Sequence, residues 1–183
     1  QRGIPLSVLV IDFFHWPRMG DYRFDEEFFP DPRAMVDELK AMGIETMVSV
    51  WTPVDFRSEN FAEMRERNLL VQVESGTEIT MHFFDGDTLF ADMTNPETRQ
   101  FVWAKLRDHY LKSSGIHLFW LDEAEPGYIK YDYENYRYAL GSIQQIGNLY
   151  PQCYTRMVYE GLRQEGRDDT VSLVRCAWAG SQR

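Results

Sequence analysis

The chain has 183 residues, and its 29 Asp and Glu outnumber 19 Lys and Arg, for a formal net charge of -10. That balance argues against general nucleic-acid binding, which needs clustered positive charge to displace counterions; it leaves neutral and cationic ligands open. At 44% hydrophobic and 15% aromatic residues, the chain can build a core and is not disordered. No apolar stretch approaches the ~18–20 residues of a membrane span. The most apolar run, Leu6 to Phe14, is broken by Ser7 and Asp12. Cys153 and Cys176 form neither a disulfide framework nor a zinc spacing, so they read as two buried or half-buried free thiols. The chain opens at Gln1 with no leader and no starting Met, so it is expected to be a piece of something longer; with two unpaired cysteines, the cytoplasm is the default compartment.

Pro5 to Asp12 (PLSVLVID) is continuous, apolar and β-branched, as expected of a parallel strand buried on both faces. It ends in a carboxylate, and a loop rich in aromatics and charge runs from Phe13 to Pro30. Asp31-Pro32 predicts a helix start, Ala34, Met35, Leu39 and Met42 its apolar face, and Gly43 its stop. The pattern repeats. Ile44 to Trp51 predicts a second strand, and Glu59 to Asn68 a short helix. Leu69 to Ala91 has period-two patches around Ser75-Gly76 and Asp85-Gly86, which suggests hairpins. Asn95-Pro96 starts a helix to about Lys112, with Phe101, Val102, Leu106 and Tyr110 inward. Gly115 to Asp122 is a third strand, again ending in Asp. Helices over about 133–146 and 152–164 and a fourth strand at 171–176 complete the chain.

This alternation implies parallel strands with right-handed crossovers, either a small open sheet or half of a (β/α)8 barrel; a complete barrel typically needs ~250 residues. In both cases chemistry belongs at the carboxyl ends of the strands, where Asp12, Trp51, Asp122 and Arg175 fall. Asp122 arrives behind four apolar residues, with Glu123 and Glu125 beside it. It could be nucleophile, base or metal ligand, or simply a cap. Asp12 precedes Phe13, Phe14, His15 and Trp16, and carboxylates flanked by aromatic faces suit sugars; the same aromatics could instead just cover the sheet. Trp51 reads equally as core or platform. Arg175, set in an apolar strand, needs a partner if buried, and Asp122 is the natural one; otherwise it is an exposed edge residue. His15, His82, His109 and His117 form no metal motif, and His109 and His117 read as structural. Asp85, Asp87 and Asp92 lack calcium-loop spacing and read as solvated turn carboxylates.

Taken in order, several segments resemble glycoside hydrolase family 31, known for retaining α-glucosidases and α-xylosidases. They are Ile4-Pro5-Leu6 with Val10-Ile11-Asp12, then Phe29-Pro30-Asp31-Pro32 with Met35, Ser49-Val50-Trp51-Thr52-Pro53, and Thr94-Asn95-Pro96-Glu97. Trp120-Leu121-Asp122-Glu123-Ala124-Glu125-Pro126 is similar to the family's WxDxxEP signature, and Arg175 to Arg183 to its R(S/C)xxAGSQR block. The resemblance implies that Asp122 is the nucleophile, that Asp12 holds hydroxyls of the sugar being cleaved, that Arg175 lies near the nucleophile, and that Trp51 lines the pocket. Glu125 lies in the signature as a further contact. It also implies that residues 1–183 are one segment of a (β/α)8 catalytic domain, truncated at both ends and supplying strands two to five. The family's acid/base is an Asp on the strand after the AGSQR block, within which this sequence stops. The chain alone is therefore expected to be inactive, since a retaining site needs two carboxyl groups ~5–5.5 Å apart.

The expected partner is an oligosaccharide or α-glycoside, with no nucleic acid, membrane or cofactor, and with self-association through exposed barrel edges. Phe13 and Phe14 at the pocket wall favour xylose, which lacks the C6 hydroxymethyl, over glucose, unless chain alternation turns only one ring inward. Two alternatives stand beside this reading. One is a fragment that binds carbohydrate without cleaving it. The other is a metal-dependent barrel enzyme holding Mg²⁺ with Asp12, Asp122 and Glu125.

Overall fold

The computed structural model describes residues 4–76, 81–83, 86–125, 134–168 and 170–181. Asp85, the His82 side chain, Pro126, the helix start placed near Tyr133 and the terminal Gln182-Arg183 lie outside the described residues. The elements run β1 (Val8–Ile11), α1 (Pro32–Ala41), β2 (Glu45–Val50), β3 (Pro53–Asp55), α2 (Phe61–Glu66), β4 (Gln72–Val73), β5 (Met81–Phe83), β6 (Gly86–Phe90) and α3 (Pro96–Leu106). A π-helical turn, Arg107–Lys112, extends α3. Then come β7 (Leu118–Leu121), β8 (Tyr136–Tyr138), β9 (Gly141–Ser142), α4 (Ile143–Ile146), α5 (Tyr150–Gln164) and β10 (Ser172–Val174).

Both predicted helix starts are capped as the sequence implies. The Asp31 carboxylate accepts the Ala34 N–H (2.9 Å), the Asn95 side chain accepts the Glu97 N–H (2.9 Å), and a proline opens each helix. Gly43 ends the first at φ +78°, a conformation that glycine adopts without strain. The inward face of α1 differs from the expected one: Val36 is its buried centre, flanked by half-buried Met35 and Leu39, while Ala34 and Met42 are exposed.

Among the described residues the main sheet has four parallel strands in the order β1-β2-β7-β10, an open arc and not a closed barrel. Ile11 lies opposite Val48, and Leu121 lies between Val50 and Val174. The four residues that follow the strands therefore emerge at one end. Only β2 and β7 are deeply buried, with Val48, Val50, Phe119 and Leu121 in the main core. The expectation of a first strand buried on both faces is corrected: β1 has one neighbour, and Val8, Leu9 and Val10 are each about two-fifths exposed. At the opposite edge, Leu173 of β10 is exposed too.

Two small antiparallel sheets fill the excursions, β3-β6-β5 and β4-β8-β9. Phe83 pairs with Gly86 across the expected Asp85-Gly86 hairpin. At Ser75-Gly76 the chain turns, yet β4 pairs with the distant β8 instead of folding on itself. The helix predicted over 133–146 is corrected likewise: among its described residues 136–142 form a hairpin, and only Ile143–Ile146 is helical. Tyr136 and Tyr138 are buried on either side of the less buried Arg137, a period of two that a helix cannot satisfy. The last helix starts at Tyr150, two residues before the expected position. Both thiols are free, Cys153 buried and Cys176 half-buried, as expected. No helix among the described residues is long and apolar enough to cross a membrane.

The loop after β1 carries a buried histidine. His15 Nδ1 lies 2.8 Å from the Asp12 carbonyl oxygen and Nε2 2.8 Å from the Tyr110 hydroxyl. A carbonyl only accepts, so Nδ1 carries the proton and Tyr110 donates to Nε2. Burial pulls the His15 pKa from 6.5 down to about 4, against the opposing influence of Asp12. The unfolded chain thus takes up this proton first. The stabilisation is complete above pH 6.5 and is lost as pH falls through about 4, on the order of 3 kcal/mol in all. The thermal midpoint should fall across that window, and a His15→Asn variant should show a shallower fall in the same titration.

Packing of α5 on α3 yields a second expectation. Gly161 faces the Trp103 indole so closely that an added Cβ would penetrate the ring. Gly161→Ala should lower stability by about 1–3 kcal/mol through overpacking, outweighing the ~1 kcal/mol that alanine gains in a helix. Denaturant melts would show this as a lower midpoint at unchanged slope.

Candidate active site

Asp122 sits at the end of β7, the strand flanked by β2 and β10, and is only 6% exposed. A charge so buried needs a counter-charge. Arg175, one residue beyond β10, provides it: Arg175 Nε is 2.5 Å from Asp122 Oδ1. The same guanidinium lies 3.7 Å from Glu123 and 3.1 Å from Glu125. Partial burial acts to lower the Arg175 pKa, but Asp122, Glu125 and Glu123 together raise it above its ordinary value. The pairing anticipated for Arg175 is therefore present. Next to it, burial and the Glu125 carboxylate push the Cys176 thiol up to about 11, so it remains protonated and inert at neutral pH.

Backbone geometry fixes the carboxylate. The Asp122 N–H donates to the Val50 carbonyl (2.9 Å), and the Thr52 hydroxyl donates to the Glu123 carbonyl (2.9 Å). Glu123 is left-handed at φ +50°, a sharp turn immediately after Asp122. Few non-glycine residues adopt this conformation.

Asp12 is exposed at the end of β1, and its Oδ1 accepts the Phe13 N–H (2.7 Å). Phe14 then turns the chain at φ +66°. The segment is not extended, so the alternation that would send neighbouring side chains to opposite sides does not apply. The Phe13 and Phe14 rings meet edge to face at 4.6 Å. The Phe13 ring continues onto Trp51 (5.0 Å), and Trp51 onto Trp16 (6.0 Å). Trp51 is buried and donates its indole N–H to Ser49 Oγ (2.8 Å). It packs in a small core cluster with Trp16 and Met19.

Phe13, Phe14 and Trp51 form one aromatic face, and Asp122, Arg175 and Glu125 one ionic cluster. Asp12 stands on the outer strand beyond the aromatic face. The sequence names Trp16 among the aromatics after Asp12, but not its contact with Trp51, the Ser49 hydrogen bond or the His15–Tyr110 pair. Ser49 was legible as the residue two before Trp51 on the same face of β2; the His15–Tyr110 contact spans 95 positions and had no local signal. The proposed metal cage meets an obstacle, since Arg175 occupies the space between Asp122 and Glu125. Among the described residues no three His, Cys, Asp or Glu side chains converge on a metal position. What the cluster offers is an oriented carboxylate beside an aromatic wall, which can attack an electrophilic carbon held there.

Comparison with known proteins agrees with this architecture. Residues 1–183 match the glycosyl hydrolases family 31 TIM-barrel domain. A relative from Pseudescherichia vulneris named "Uncharacterized family 31 glucosidase ORF2" is 51% identical over all of this chain and 34% of its own length. Alpha-xylosidase A of Aspergillus niger is 33% identical over all of this chain and 28% of its own. The crystal structure of a GH31 alpha-xylosidase from a soil metagenome, complexed with xylose, superposes with a TM-score of 0.94 at 53% identity, covering all of this chain and 27% of that one. The chain thus spans about a quarter to a third of these relatives. It belongs to glycosyl hydrolases family 31 and lies within the TIM-barrel domain of that family of glycosidases.

Proposed function

We propose that these residues form the sugar-holding half of a retaining α-glycosidase site, within a longer (β/α)8 domain that contributes the acid/base. The observation that carries this reading is the Asp122–Arg175 pair at the end of a central strand. Asp122 attacks the anomeric carbon; a C–O ester bond forms as the glycosidic C–O bond breaks. The leaving oxygen takes a proton from an acid supplied outside the 183 residues. Water, deprotonated by the same group, then cleaves the ester and frees the sugar. Arg175 balances the buried charge and orients the carboxylate, with Glu123 and Glu125 fixing the guanidinium in turn. Asp12 accepts sugar hydroxyls, and Trp51, Phe13 and Phe14 cover the C–H face of the ring. Alone, the chain lacks the second carboxyl group and should leave glycosides intact; its exposed edges, β1 and β10, invite self-association.

In the whole protein, Asp122→Ala should abolish hydrolysis of an aryl α-glycoside. Added azide should restore aryl release and give a glycosyl azide of inverted configuration. Azide rescue with retained configuration, or undiminished hydrolysis, would refute the nucleophile assignment, and sugar binding without turnover in the unaltered protein would favour the binding-only reading.

For the substrate we propose an α-xyloside. The adjoining Phe13 and Phe14 rings, held on one side by the turn at Phe14, offer no partner to a C6 hydroxyl. A hydroxyl buried there unpaired costs about 1–3 kcal/mol, or roughly 5–150-fold in discrimination. The α-xylosidases among the relatives support the choice. The ratio of kcat/KM on aryl α-xyloside to that on aryl α-glucoside should exceed one in the whole protein and narrow in Phe14→Ala. A ratio favouring glucoside would reverse the assignment.

A further inference from the structure

The β1–α1 loop, residues 12–31, is fastened to the π-helical turn at two points. His109 Nδ1 lies 3.0 Å from the Tyr22 carbonyl oxygen, and the Tyr110 hydroxyl 2.8 Å from His15 Nε2. Consecutive residues of the wide turn thus reach the loop side by side. π-helical turns of this kind often mark functional sites.

The Tyr110 attachment leads toward the mouth of the sheet. His15 is 2% exposed, boxed by Trp16, Phe24 and Tyr110 with ring centroids 4.6–5.7 Å away. It can neither swing out nor exchange its partners for water. Its Nδ1–H fixes the Asp12 carbonyl, and the Asp12 carboxylate in turn accepts the Phe13 N–H. One chain of hydrogen bonds thus runs from Tyr110 through His15 and the Asp12 backbone to the Asp12 carboxylate and Phe13. Asp12 lies beyond the paired residues of β1, so the ladder with β2 does not fix it.

We propose that His15, held by Tyr110, is a positioning residue for sugar binding, setting the place of the Asp12 carboxylate without touching the sugar itself. This rests on the reading of Asp12 as a sugar contact. Two variants break the link at different atoms. His15→Asn keeps a side-chain N–H for the Asp12 carbonyl but cannot reach Tyr110. Tyr110→Phe removes only the hydroxyl. Each should lower kcat/KM for an aryl α-xyloside roughly 10- to 100-fold in the whole protein, as loosened placement of a binding group does. The decisive readout is coupling to Asp12. In an Asp12→Ala background either variant should have almost no further effect, because what they position is gone. A role confined to folding would instead give losses that multiply with Asp12→Ala.

The outcomes separate. If Asp12→Ala retains full activity, the reading of Asp12 falls and this inference with it. If Asp12→Ala is impaired but His15→Asn and Tyr110→Phe are silent, or their losses multiply with it, this inference alone is overturned. Should His15→Asn fail to fold, the Tyr110→Phe cycle decides.

Discussion

The Val50 carbonyl is the joint on which the mouth of the sheet depends. Its oxygen accepts the Asp122 N–H and the Tyr154 hydroxyl, each at 2.9 Å. Both lone pairs are used inside the protein, so the end of β2 needs no water. One donor fixes β7 in register, and the other ties the sheet to α5. A one-residue slip of β7 would send Asp122 to the opposite face and turn Phe119 and Leu121 out of the core. Tyr154 is fully buried, so the helix contact and the strand contact stand or fall together.

Around this joint the mouth gathers several features that are costly to hold. A nearly buried carboxylate, a guanidinium shared among three acids, and two left-handed non-glycine residues, Glu123 and Phe14, lie at strand ends. Such backbone conformations cost of order 1–3 kcal/mol each and persist where surroundings enforce them. Thr52 enforces the first by binding the Glu123 carbonyl. The helices behind the sheet supply the rigid backing: Tyr110, Tyr150 and Tyr154 are fully buried, and burial raises all three hydroxyls well above their ordinary pKa. They serve as permanent hydrogen-bond donors at any physiological pH.

Much of this was legible in the residues. Strand–helix alternation, caps at Asp31 and Asn95, and polar residues after apolar strands are local signals, and each has a local cause. The Asp122–Arg175 pair was also foreseeable, because a charge at the end of an apolar strand must find its opposite. The exposure of β1 within these 183 residues had no signal in the run itself, because an apolar β-branched segment reads the same with one neighbouring strand as with two. The hairpin at Tyr136–Ser142 was missed because tyrosine tolerates both helix and strand, and its partner β4 lies over sixty residues upstream. The His15–Tyr110 contact failed for the same reason of distance. Phe13 and Phe14 were legible as a pair, but their common side depended on a backbone angle that sequence alone leaves open.

That angle restricts which residues can replace Phe14. At φ +66° a β-branched side chain collides with its own backbone, so valine, isoleucine and threonine are effectively barred. Glycine and asparagine fit the backbone best, but they remove the ring from the wall. Unbranched residues that keep bulk, such as tyrosine, leucine or methionine, form the narrow alphabet in between. Tyrosine would bring a hydroxyl to an otherwise apolar wall at little steric cost. A single-base change can thus alter the polarity of this aromatic face while the fold beneath stays as it is.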